Sequence, residues 1–105
     1  MTIESERNTK KRKDYTSPTY VQLGQIVITA AAEATLNKED VHRSLRRHLV
    51  GDWGDVCKED KAANDRALKQ GDRLLSAYAD QAGTKFWIIT EHDRSLTTVL
   101  LPSDY

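Results

Sequence analysis

One cysteine, two prolines, one phenylalanine and one methionine stand in a chain of 105 residues. A lone Cys57 excludes an intramolecular disulfide and any zinc site built on a cysteine cluster, and it fits a reducing cytoplasm. A surplus of one charge is also missing, since sixteen Lys and Arg face sixteen Asp and Glu. Non-specific nucleic-acid binding draws on excess cation, so neutrality argues against it as the main activity. No stretch approaches the roughly 18 consecutive apolar residues of a membrane span, and no secretory leader is readable, so a cytoplasmic protein away from the membrane is expected. There is no metal-binding spacing, P-loop, Gly-x-Gly-x-x-Gly turn or nucleophile elbow, and no cofactor or metal is expected. The length allows one domain, because a chain of this size buries only about 60–68% of its unfolded surface.

What is present divides the chain in two. Residues 1–19 offer only Ile3 and Tyr15 as sizeable apolar side chains, and they carry the run Lys10-Lys11-Arg12-Lys13 before a Ser17-Pro18 breaker. So little burial does not offset an ordering cost of about 1–2 kcal/mol per residue, so a flexible basic arm is expected. Such an arm is either a solvated tail or a contact to nucleic acid or a partner. The first twenty residues carry five basic and three acidic groups, which leaves eleven against thirteen, net −2, for the rest.

Residues 20–105 read as a single α+β domain. Tyr20 to Ile28 is rich in β-branched residues and predicts a short N-terminal strand, with Gly24 marking a bulge or a close backbone approach. Thr29 caps a short alanine-rich helix through Leu36, and Asn37 caps a second from Lys38 to Leu49 with Val41, Leu45, His48 and Leu49 inward. A third helix spans Lys58 to Gln70, with Gly71 at its C′ position. Arg73–Asp80, Lys85–Glu91 and Leu96–Leu101 follow as a three-stranded antiparallel meander, with the two or three helices packed on one sheet face. Alternation assigns Leu75, Ala77, Trp87, Ile89, Val99 and Leu101 to one face and Leu74, Tyr78, Phe86, Ile88, Leu96 and Leu100 to the other. Both faces are apolar. The one that helices leave open needs the short helix, a partner or a second copy, which makes a homodimer one solution.

Three polar clusters are candidates for function. Arg43, Arg46 and Arg47 share the outer face of the second helix, either as a solvated face or as a weak nucleic-acid contact. In Gly51-Asp52-Trp53-Gly54-Asp55 an indole sits between two Gly-Asp units. It is read either as a shaped loop packed over a core edge or as a protein-docking surface anchored by Trp53, with Asp52, Asp55, Glu91, Asp93 and Arg94 around it. The hairpin end Thr90 to Thr98 gathers an acid, an imidazole, a guanidinium and hydroxyls. General acid–base cleavage of RNA uses such parts, and for that chemistry His48, Arg73, His92, Arg94 and Thr98 are the candidates. A plain turn explains the same residues, with Asp93 and Ser95 bonding its backbone.

The blocks Arg47-His48, Gly51-Asp52-Trp53-Gly54-Asp55, Glu59-Asp60-Lys61, Arg73 to Tyr78, Trp87 to Glu91, Asp93-Arg94-Ser95 and Thr97 to Pro102 resemble, in order, a family of small "plasmid-related" proteins of plasmids, phages and integrated elements. The resemblance covers about Leu23 to Tyr105 and implies a setting, bacterial mobile elements, without a mechanism. The order of elements is also similar to small RelE-like and barnase-like ribonuclease toxins, by architecture alone. Two functions follow. One is a non-enzymatic interaction protein that binds a host or element protein, as an inhibitor of host defence; the other is a small ribonuclease toxin.

Overall fold

The computed structural model describes residues 21–105, and the arm expected at residues 1–19 lies outside them. Within the described part, side-chain caps set where the first helices begin. Thr29 Oγ1 accepts from the Ala32 amide at 3.1 Å to open α1 (Ala30–Thr35), and Asn37 Oδ1 accepts from the Asp40 amide at 3.0 Å to open α2 (Lys38–Leu49). Helix α2 closes in a Schellman turn, in which the Gly51 and Asp52 amides donate to the His48 and Arg47 carbonyls. Helix α3 (Lys58–Gln70) ends at Gly71 in the left-handed conformation.

Four strands complete the fold of the described residues: β1 (Gln25–Ile28), β2 (Leu74–Ala79), β3 (Lys85–Thr90) and β4 (Leu96–Leu100), followed by a 3-10 turn at Pro102–Asp104. The sheet order is β1-β4-β3-β2. Antiparallel pairing joins β2 to β3 and β3 to β4, while β1 adds to β4 in parallel, so the α+β fold carries a mixed sheet rather than a meander alone. The first strand is also shorter than its β-branched run. Gly24 sits at φ 63, and a Cβ there would stand 2.4 Å from the Arg94 and Ser95 carbonyl oxygens, so the chain touches the hairpin end before it can pair.

Register decides the faces. Ser76, Ile88 and Val99 lie opposite one another, as do Leu74, Thr90 and Thr97, and Tyr78 opposes Phe86. This face carries the main core, where Tyr78, Phe86, Ile88 and Val99 pack with Ala32 and Leu36 of the α1 segment and Val41 of α2. Val99 and Leu101 therefore belong to the helix-covered side, and Leu100 shares the other with Trp87; the expected parity of β4 is reversed. The turn reverses it: Thr90 opposes Thr97, which leaves six residues between the partners, whereas the five between Ala79 and Lys85 keep the parity of β2 and β3; Arg94 takes φ 62 within this turn. On the opposite face Trp87 is half-buried and meets the Tyr105 ring edge-on at 5.7 Å.

A second cluster lies where the Gly51–Asp55 loop, α3 and the start of β2 meet, and it joins Val21, Trp53, Ala67 and Leu74. Here the outer edge of β2 is closed. Ala77 donates to the Trp53 carbonyl and accepts from the Asp55 amide, and the Asn64 carboxamide bonds both the carbonyl and the amide of Leu75 at 2.8 and 3.2 Å.

Candidate functional site

Trp53 is 3% exposed. Its indole N–H donates to Asp65 Oδ1 at 2.9 Å, and its ring stands edge-on to His48 at 5.5 Å. The expected docking anchor is thus a core residue, drawn inward because Gly54 lets the loop lie against β2. At Gly54 φ is 74, and a Cβ would meet the Ala77 carbonyl oxygen at 2.1 Å. Asp52 is held in a two-point pair by Arg47 (Nε 2.7 Å, Nη2 3.2 Å) and also accepts from the Gly54 amide. The Arg47 hydrogen bond holds its carboxyl below the usual carboxylate range. The Tyr78 hydroxyl donates to the Asp52 carbonyl at 2.6 Å, and burial pushes that phenol up to about 12. Asp55 contributes its amide to the β2 edge.

His48 lies at the centre of a closed polar chain. Its side chain is fully buried, with Nδ1 2.5 Å from Ser76 Oγ and Nε2 2.8 Å from Thr90 Oγ1. Thr90 Oγ1 lies 2.8 Å from Thr97 Oγ1, which reaches the Leu23 carbonyl at 2.7 Å. Each hydroxyl has one proton, and the carbonyl can only accept. For a neutral ring, one assignment alone puts a proton in every contact: Thr97 donates to Leu23, Thr90 to Thr97, His48 Nε2–H to Thr90, and Ser76 to Nδ1. The backbone of residue 23 thereby sets the tautomer of a histidine on α2. Desolvation, helped by the Arg94 charge, lowers the imidazole to about 4, so it stays neutral near pH 7.

The hairpin end is a turn that bonds itself. Asp93 Oδ1 accepts from the Ser95 hydroxyl and amide at 2.6 and 3.1 Å, and the hydroxyl bond leads in holding that carboxyl low. Arg94 reaches back beneath the end of α3. Its guanidinium donates to the carbonyls of Asp72 (2.6 Å), Glu91 (3.1 Å) and Ala67 (3.2 Å) and more weakly to that of His92. It therefore engages the Glu91 backbone rather than its carboxylate. His92 is exposed in the turn.

The proposed acid–base groups do not share an opening. His48 is sealed, while Thr98 pairs with Ile89 and points to the face opposite Thr90 and Thr97. Arg73 places its guanidinium 5.2 Å from the Tyr105 ring centroid and bonds that hydroxyl. On α2, Arg43 pairs with Asp40 at 2.5 Å and Arg47 with Asp52, which leaves Arg46 exposed in the last turn. Among the described residues no three His, Cys, Asp or Glu side chains converge to hold a metal ion, and no helix is long and apolar enough to cross a membrane.

An opening that residue-by-residue reading missed lies at the other sheet edge. A groove of about 220 Å³ runs between β1 and helices α1 and α2, lined by Ile26, Ile28, Leu36, Val41 and Leu45, with Glu33, Lys38 and His42 also on its walls. Ile26 and Ile28 are 49% and 37% exposed. The signal was in the sequence: Gln25-Ile26-Val27-Ile28 holds three β-branched residues and no charge. Comparison with family models, curated protein sequences and solved structures finds no match for this chain, so the resemblance to plasmid-related proteins stands on its residue blocks alone.

Proposed function

We propose that this chain is a small non-enzymatic interaction protein that binds a protein partner through the β1 edge and the groove beside it. The observation that carries this is an open apolar groove next to a strand whose outer edge no described strand pairs. The alternative, RNA cleavage, loses His48 as its base, since that ring is sealed with both nitrogens bonded, and is left with His92 in the hairpin turn. A setting in bacterial mobile elements, with inhibition of a host defence system as the role, comes from the resemblance and is part of the same proposal.

Two experiments test it. Expression of the full chain in bacteria should leave growth normal; arrest that His92→Ala relieves would favour the ribonuclease. The tagged chain should capture a protein from host lysate, and Ile28→Lys should abolish capture without lowering the melting temperature. Capture that survives Ile28→Lys moves the docking surface elsewhere.

A further inference from the structure

The two edges of the sheet are treated differently. On β2 the outward groups of Leu75 and Ala77 are met by Asn64 and by the Gly51–Asp55 loop. On β1, Gln25 and Thr29 donate to the Ser95 and Val99 carbonyls of the β4 side. Alternate residues of a strand turn their backbone groups to opposite neighbours, so Ile26 and Ile28 direct theirs to the edge that no described strand pairs. Their side chains share the face of Thr97 and Val99, beneath the groove. Monomeric sheets protect such an edge with Lys, Pro or a bulge, and β1 has none of these.

We infer that the occupant of this edge is β1 of a second copy, paired antiparallel about a two-fold axis at Val27. The inference rests on the β1 edge being the protein-binding surface. In that register Ile26 of each copy stands opposite Ile28 of the other, so each outward amide meets an outward carbonyl. Directly opposed residues share a face, so the four isoleucines come together over two merged grooves. Charge allows it: β1 is uncharged, and the groove walls carry both Glu33 and Lys38, whereas walls of one sign would repel their own copy. A short strand with one groove per copy belongs to the smaller interfaces, so weak, concentration-dependent association is expected.

Sedimentation of the full chain over a roughly hundredfold concentration range, with hydrogen exchange at the Ile26 and Ile28 amides, tests the inference. The expected result is a shift from monomer to dimer, with both amides gaining protection in step. Ile26→Lys should remain monomeric with unchanged circular dichroism, and Ile28→Pro should do the same, since its amide faces away from β4. A chain that stays monomeric with both amides unprotected overturns the second-copy inference. The protein-binding reading then survives only if lysate capture is still lost in Ile28→Lys. A monomer with both amides protected at every concentration also overturns it, because the chain then covers its own edge. A dimer that persists in Ile26→Lys and Ile28→Pro places the interface elsewhere and overturns it as well.

Discussion

Lowering the pH from about 7 to about 5 asks the fold to accept a proton on His48, a buried ring whose Nδ1 already accepts from Ser76. The imidazole sits near 4 in the folded chain against 6.5 for a histidine in water, because burial disfavours the cation. A folded value below the unfolded one means that the unfolded chain binds protons first. The stability tied to the neutral ring is therefore complete above about 6.5, falls as acid is added, and stops falling below about 4. Carried through, the difference amounts to about 3 kcal/mol in all and about 2 kcal/mol by pH 5. For a domain of this size that lowers the melting temperature by roughly 10 °C. Urea unfolding at the two pH values measures the loss, and His48→Gln isolates its source, since an amide keeps a donor and an acceptor but cannot be charged. Asp52 and Asp80, both held low by hydrogen bonds, titrate alike in the two proteins and cancel. Equal loss of stability in wild type and His48→Gln would refute the assignment.

Other substitutions probe the same frame. Trp53→Ala should cost about 3–5 kcal/mol in a thermal melt, as expected of a core aromatic rather than a surface anchor. Asp52→Asn, which loosens a half-exposed pair, should cost under about 1 kcal/mol by urea unfolding. Gly54→Ala forces a Cβ onto the Ala77 carbonyl and should cost at least about 1–3 kcal/mol, with faster exchange of the Ala77 amide. Arg94→Ala removes charged donors from the carbonyls at the end of α3 and should cost about 1–3 kcal/mol, read as earlier loss of helix signal in urea.

Local chemistry was legible and long-range geometry was not. The caps Thr29 and Asn37 and the stop at Gly71 are written in residue type, and they open α1 and α2 and close α3 where the spacing predicted. Gly24 was readable as a close approach, although which carbonyls it meets depends on a turn seventy residues away. The parity of β4 was not readable, because it hangs on Thr90 opposing Thr97 rather than Leu96, a one-residue difference in register that the residue types of the turn do not show. Trp53 looked like an anchor because a Trp in a Gly-Asp loop has the composition of a docking surface; only the pairing with Ala77 turns it inward. The groove escaped notice because it is made by the end of the sheet rather than by any motif.

The placement of β1 has a consequence for how the chain acquires its fold. β2, β3 and β4 pair across short connections, whereas β1 finds its partner about seventy residues further on. Contacts of short sequence separation form first, since little loop entropy stands against them. During synthesis Ile26, Val27 and Ile28 emerge before β4 exists and wait unpaired until Leu96 to Val99 are made. Thr97 then accepts the Thr90 proton and donates to the Leu23 carbonyl, so the arrival of the first strand also completes the proton order around His48. Docking of β1 and the setting of that buried histidine are in this way a single late step.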